Sequence, residues 1–192
     1  GGRGFGIVAG TGTGKTLGYL TPAVAFAKAS GRPVVVATHS KLLQNQAMEA
    51  VPLLEATLGE PVEAVLLKGR DNYVSLTALE GELDGLCADA APLGFLLALI
   101  CGWLAETPTG EWDDLRFWPV SARHPEFSAL RWRLSLDEQP GPVRSELDKR
   151  CFYRRALDGL RTADIAVMNH ALIVSRDDWL LAARDLILDE AH

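Results

Sequence analysis

The chain has 192 residues, of which 48% are hydrophobic and 23% are charged, and its formal net charge is −6. This composition is typical of a globular protein, and the length suffices for one sizeable α/β domain with an insertion. The acidic balance excludes a protein that holds nucleic acid by overall positive charge, so any such binding must be local.

The first part of the chain alternates strands and helices. It contains a strand at residues 6–9, a helix at 16–30, a strand at 33–38, a helix at 40–55 and a strand at 62–67. The run at 33–38 is β-branched without alternation, as expected for a strand buried on both faces. In the first helix we expect Pro22 to cause a kink or an irregular first turn. The apolar side of that helix is predicted to carry Leu17, Leu20, Val24 and Phe26.

The middle of the chain interrupts this rhythm. Residues 75–105 look helical, with breaks at Gly81, Gly85 and Pro92, whereas residues 106–145 have no clear period. The apolar run at 93–105 is too short to cross a bilayer and predicts a buried helix, so we expect no membrane contact. The alternation resumes with a helix at 146–162 and strands at 164–168 and 185–189.

This order of elements predicts an α/β fold with a parallel sheet and crossover connections. We expect a first part of the main domain at residues 1–71, an inserted, mostly helical subdomain at 72–155, and the remainder at 156–192. The chain begins almost on a strand and stops at LILDEAH. We interpret it as a piece of a longer protein.

The cysteines and the N-terminus bear on the compartment. Cys87, Cys101 and Cys151 have no paired close spacing, which argues against a disulfide scaffold and favours a reducing environment. The N-terminal residues lack the charged and apolar regions of a signal peptide. We therefore expect a cytoplasmic protein.

The strongest chemical signal is AGTGTGKT, which follows the first strand and precedes the first helix. It fits the phosphate-loop pattern except that Ala9 stands where the pattern has glycine. Lys15 can reach the β- and γ-phosphates of a nucleotide, and the Thr16 hydroxyl can bind Mg²⁺. The alternative is a glycine-rich turn with an incidental lysine. The predicted nucleotide-binding residues are Ala9, Gly10, Thr11, Gly12, Thr13, Gly14, Lys15 and Thr16.

The second signal is LILDEAH, an apolar strand that ends in two carboxylates. In a parallel sheet the carboxyl edge of the strands is where ligands bind. We expect Asp189 to hold the Mg²⁺ shell and Glu190 to orient or deprotonate an attacking water. The alternative is a solvated acidic pair. Together with Lys15, these two residues are the predicted catalytic groups.

These motifs, with three others in a fixed order, resemble the superfamily 2 DNA helicases of the DinG/XPD type. The other three are VVVATHSKLLQNQ, KGRDNY and ADIAVMNHALI, beginning at residues 34, 68 and 163. The resemblance implies a RecA-like phosphate-loop NTPase domain that uses ATP and Mg²⁺ to move 5′→3′ on single-stranded DNA. It also implies a second motor domain, absent from this chain, that supplies an arginine finger.

The resemblance also assigns residues to DNA binding and to coupling. It places Thr38, Ser40, Lys41, Gln44 and Gln46 on the stretch that touches single-stranded DNA. Gln44 and Gln46 could instead be the polar face of a helix. It assigns Asn169, His170 and His192 to coupling, although His170 could simply satisfy a loop carbonyl.

One family feature is missing. These helicases usually hold an iron–sulfur cluster on four cysteines, and Cys151 is the single matched position here; Val74 and Ser75 stand at the first. We therefore expect no iron–sulfur cluster. The same loss is known in DinG-like helicases associated with type IV CRISPR systems, which implies a CRISPR effector complex as a partner.

The inserted subdomain could still bind DNA. Aromatic rings beside basic residues suit base stacking and phosphate contact, but for the tryptophans we favour packing that replaces the missing cluster. We favour phosphate contact for Arg154 and Arg155. The other residues of this set are Trp103, Trp112, Trp118, Trp132, Arg116, Arg123, Arg131, Arg133, Lys149 and Arg150.

Two other functions fit parts of the sequence. A kinase or another phosphate-loop enzyme would use AGTGTGKT but has no use for KGRDNY or DEAH. A decayed helicase could serve as a protein-docking module, but intact Lys15, Thr16, Asp189 and Glu190 speak against decay of the motor.

Overall fold

A computed structural model of the chain describes six stretches of residues, namely 4–8, 13–86, 91–115, 123–136, 145–174 and 185–190. The chain divides into two compact units. The first unit combines Gly1–Leu67 with Gly159–His192, and the second is Lys68–Asp158.

The first unit is built on a parallel sheet. Its described strands are β1 (Val34–Thr38), β2 (Ala64–Leu66), β3 (Ile165–Asn169) and β4 (Asp185–Leu188). The strand order is β2-β3-β1-β4, and every pair is parallel. The predicted α/β fold with a parallel sheet is therefore confirmed.

The position of β1 between β3 and β4 explains its burial. All five of its residues are buried, as the β-branched run predicts. Val36 lies opposite Val167 on one side and Ile187 on the other. This register aligns the carboxyl ends of the three strands at one edge of the sheet.

Helix α1 (Lys15–Ser30) covers the sheet with one apolar face. Leu20, Ala23, Val24 and Ala27 are buried at i, i+3, i+4 and i+7, and they pack with residues of β1 and β3. Phe26 is 45% exposed, so its predicted place on that face is wrong. The helix runs through Pro22 as one element.

The predicted helix at 40–55 is two helices, α2 (Lys41–Glu49) and α3 (Val51–Leu58). Ser40 caps α2 by accepting a hydrogen bond from the Leu43 amide at 3.3 Å. Pro52 lies in the first turn of α3, where a missing N–H costs no helical hydrogen bond. Pro52 is therefore compatible with the start of a second helix, and the predicted single helix is divided there.

The first and last predicted strands of this unit differ from expectation. Residues 4–8 form no strand, and Phe5, Ile7 and Val8 are exposed. Strand β4 was expected to be buried, but Leu186 and Leu188 are exposed. Among the described residues β4 pairs with β1 alone, so one of its edges lacks a neighbouring strand.

The second unit is mostly helical. Its described α-helices are α4 (Leu76–Asp84), α5 (Ala91–Glu106), α6 (Glu126–Leu134), α7 (Glu146–Arg150) and the start of α8 (Phe152–Gly159). Gly81 lies inside α4 and does not break it. Leu96, Leu97 and Ile100 are buried, as expected of α5. None of the helices in the described residues is long and apolar enough to cross a membrane.

A buried ion cluster lies at the start of this unit. The Lys68 ammonium is 2.5 Å from Glu111 and 3.2 Å from Asp113. Burial raises the pKa of the Glu111 carboxyl, and the Lys68 ammonium opposes that rise. The Tyr73 hydroxyl accepts a hydrogen bond from the Lys68 amide, and its ring packs on Tyr153. The KGRDNY stretch thus supplies interior contacts of its unit.

Candidate nucleotide site and DNA-binding surface

The glycine-rich loop ends at the first turn of α1. Gly14 precedes the helix with φ of 73°, a left-handed conformation that glycine adopts without strain. Lys15 and Thr16 follow as its first two residues and are half-buried, whereas Thr13 is exposed. Ala9, Gly10, Thr11 and Gly12 lie outside the described residues.

The acidic end of β4 is held against this turn. The Asp189 amide donates a hydrogen bond to the Ala37 carbonyl at 2.8 Å. The Asp189 carboxylate accepts one from the Tyr19 hydroxyl at 3.1 Å. The nearby Thr16 side chain acts on the same phenol and lowers its pKa. The phenol therefore lies beside both predicted Mg²⁺ ligands, and it hydrogen bonds with Asp189.

Tyr19 is the member of this cluster that the sequence motifs do not predict. Burial raises the pKa of its phenol, and the Asp189 carboxylate raises it further. The phenol therefore stays protonated and donates. The signal in the sequence is the spacing, because residues three apart in a helix share one face and Tyr19 lies three residues after Thr16.

Glu190 follows Asp189 with φ of 54°, a left-handed conformation that is uncommon for residues other than glycine. Its side chain is exposed. The carboxylate is thus available to solvent beside Asp189, as a group that orients water needs to be.

Two coupling candidates lie where β3 ends. The Asn169 side chain accepts a hydrogen bond from the Leu172 amide at 2.7 Å, at the start of α9 (His170–Val174). The His170 Nε2 lies 3.2 Å from the Ala37 carbonyl oxygen, which can only accept, so Nε2 carries the proton. His170 thus satisfies a carbonyl of β1, and its role in coupling stays a prediction. His192 lies outside the described residues.

The five DNA-binding candidates between Thr38 and Gln46 do not form one exposed surface. Lys41 and Gln46 are exposed, and Ser40 is half-buried. Thr38 is 0% exposed and Gln44 is 1% exposed. Thr38 ends the central strand, and Gln44 shares the inner face of α2 with Ala47. In this conformation a bound strand cannot touch these two side chains.

Two tryptophans of the second unit pack against each other, and one is exposed enough to stack on a base. Trp103 and Trp112 stack with their ring centroids 5.7 Å apart, and Trp112 is buried, so these rings pack. Trp132 on α6 is 80% exposed and could stack on a base. Trp118 and Arg116 lie outside the described residues.

Several arginines of this unit already contact other protein groups. Arg155 is exposed, donates to the Pro108 carbonyl at 3.0 Å and lies over the Phe152 ring. Arg154 is half-buried. Arg131 lies over the Trp112 ring, and Arg133 forms two hydrogen bonds with Glu82.

Two cysteines lie in the described part of the chain. Cys101 and Cys151 are both half-buried and free. Cys151 ends α7, and Cys87 lies outside the described residues. The expected lack of an iron–sulfur cluster stays a prediction.

No family model matches the chain. It is 33% identical over 192 residues to the 3'-5' exonuclease DinG of Bacillus subtilis (strain 168), covering 97% of this chain and 20% of that protein. It is 31% identical to the ATP-dependent helicase DinG of Mycobacterium tuberculosis (strain H37Rv), covering 97% of this chain and 31% of that protein. It is 28% identical to the 3'-5' exonuclease DinG of Staphylococcus epidermidis. The chain thus spans between a fifth and a third of the length of these relatives.

Proposed function

We propose that this chain, which is homologous to the DinG helicases, is the ATP-binding portion of a DNA helicase that moves along single-stranded DNA. The observation that carries the proposal is the contact between Asp189 and the first turn of α1 through Tyr19. It joins the two motifs that an ATP-driven reaction needs, although they are far apart in the chain. A glycine-rich turn with an incidental lysine would have no reason to meet an acidic strand end.

The residues at this contact fit Mg²⁺ and a nucleotide. Thr16 and Asp189 offer a hydroxyl and a carboxylate, and Mg²⁺ prefers such oxygen ligands. When bound, the ion would neutralise charge that develops on the phosphates. Lys15 would bind the β- and γ-phosphates, and the exposed Glu190 would orient the attacking water.

On the DNA side, we assign phosphate contacts to the accessible candidates. These are Ser40, Lys41 and Gln46 in the first unit and Arg154 and Arg155 in the second. We keep the 5′→3′ direction from the family resemblance, and a second motor domain outside this chain would supply the arginine finger.

We assign coupling to the turn that follows β3. Ala37 supports this assignment because its carbonyl accepts from both the Asp189 amide and His170. A movement of the His170 ring would therefore shift the Ala37 carbonyl and, through it, the backbone of Asp189. His192 completes the predicted set.

Three further assignments belong to the same proposal. The protein would work in the cytoplasm. It would also lack an iron–sulfur cluster, because Cys151 is the single cysteine at a position that the family uses. A CRISPR effector complex is the partner implied by that loss. Some DinG relatives are named exonucleases, but Lys15 and Thr16 at a helix start are groups that ATP chemistry uses and simple strand hydrolysis does not.

Single-strand-stimulated ATP turnover by the full-length protein tests the proposal. We expect single-stranded DNA to accelerate ATP hydrolysis, and Lys15→Ala to abolish nucleotide binding because the phosphates lose their cation. Lys28→Ala, at the other end of the same helix, is the matched control and should bind nucleotide normally. Turnover that ignores DNA but responds to a small phosphate acceptor would favour a kinase. Retained ATPase in Lys15→Ala would refute the loop assignment.

A further inference from the structure

We propose that Tyr19 is a positioning residue of the nucleotide site, and that its phenol holds the Asp189 carboxylate beside the first turn of α1. This inference rests on the proposed function, since it concerns the same site. It goes further by giving a role to a side chain that lies outside both the glycine-rich loop and the acidic strand end.

The geometry fixes Asp189 at two points. Its amide donates to the Ala37 carbonyl at 2.8 Å, which holds the backbone to the end of β1. Its carboxylate accepts from the Tyr19 hydroxyl at 3.1 Å, which holds the side chain toward α1. Without the phenol the carboxylate keeps its backbone anchor but is free to rotate.

The phenol is also close to the other expected ligand. Thr16 lies three residues before Tyr19 on the same face of α1 and lowers the pKa of the phenol, so the phenol lies beside Thr16 while it hydrogen bonds with Asp189. A residue that orients ligands through hydrogen bonds from outside commonly tunes metal affinity. Tyr19 is in the place to do this for both residues at once.

The ring and the hydroxyl of Tyr19 have separable roles. The ring is half-buried and packs against the apolar core under α1, whereas only the hydroxyl reaches Asp189. Tyr19→Phe therefore keeps the packing and removes the hydrogen bond. Its expected effect is a loss of about 10-fold in the affinity for the Mg²⁺–nucleotide complex, the lower end of what outer ligand-orienting contacts contribute.

The experiment is a titration of fluorescent mant-ATP into the full-length protein, once with Mg²⁺ and once with EDTA. We expect Tyr19→Phe to weaken binding about 10-fold with Mg²⁺ and to leave binding in EDTA unchanged. Tyr73→Phe, which removes a buried phenol from the second unit, is the matched control and should change neither titration. Unchanged or tighter binding of Tyr19→Phe with Mg²⁺ would overturn the proposal.

A double-variant cycle separates positioning from a merely structural role. In an Asp189→Ala background, Tyr19→Phe should have no further effect on Mg²⁺-dependent binding, because no acceptor for the phenol is left at position 189. An equal loss in both backgrounds would show that the hydroxyl acts through folding and would refute the inference. If the unaltered protein does not bind mant-ATP at all, the proposed function itself fails, which is a different result.

Discussion

At the scale of single residues, Lys68 illustrates how a buried charge is accommodated. Burial alone would lower the pKa of its ammonium, but hydrogen bonds with Glu111 and Asp113 raise it by more, so Lys68 stays charged. Both Lys68 and Glu111 are almost fully buried. Each charge is therefore tolerable only while the other is present.

Removing one partner of this pair should be costly. We expect Lys68→Met to lower the free energy of unfolding by about 3–5 kcal/mol, because it leaves the Glu111 carboxylate buried without its counterion. Urea denaturation measures the change. Lys28→Met, which breaks a more exposed pair with Asp164, is the control and should cost about 1 kcal/mol or less.

The matching double variant supplies the decisive comparison. Lys68→Met with Glu111→Gln should be less destabilised than Lys68→Met alone, since no charge is then stranded in the interior. A single variant no worse than the Lys28→Met control would contradict the account of this cluster.

The sequence predicts the position of a motif residue well where the motif is local. Lys15 and Asp189 belong to short motifs whose meaning depends on a few neighbours, and the structure places both at the ends of the expected elements. The burial of Gln44 could not be predicted in this way, because it depends on the packing of α2, which is a tertiary fact.

At the scale of elements, prediction succeeded where the pattern was unbroken. The apolar run of β1 does not alternate with polar residues, and such a pattern predicts a strand covered on both faces. Helix α6 was missed although Phe127, Leu130 and Leu134 follow a helical period. That period covers only nine residues, and Trp132 and two arginines between the apolar positions obscure it. Helix boundaries are also harder to predict than the presence of a helix.

Helix α6 presents Trp132 to solvent, and this exposure leads to a prediction. We expect Trp132→Ala to weaken binding of the full-length protein to single-stranded DNA by about 1–3 kcal/mol, the usual contribution of one base stacked on an aromatic ring. Fluorescence anisotropy with a labelled oligonucleotide measures it. Phe26→Ala removes an exposed ring from α1 and is the control that should leave affinity unchanged. Equal affinities for both variants would assign Trp132 no part in DNA binding.

At the scale of the whole molecule, the sheet decides which motifs meet. The parallel register brings the ends of β1, β3 and β4 to one edge, where Ala37 links Asp189 with His170. Alternation of strands and helices predicts such an edge but does not give the strand order. The order places β1 between β3 and β4, so the carbonyl of Ala37 becomes the acceptor that Asp189 and His170 share.

The net charge of −6 gives the last prediction, because an acidic protein must bind DNA through a few local cations. Each phosphate contact with a single strand contributes a slope of about 0.7 to the dependence of log affinity on log salt. Replacing Arg154 and Arg155 together by Ala should therefore flatten the slope by about 1.4 and lower the affinity. Arg133→Ala is the control. Its guanidinium is already paired with Glu82, so its loss should change the salt slope little. A slope that stays the same in the double variant would remove both arginines from the DNA contact and leave that role to the first unit.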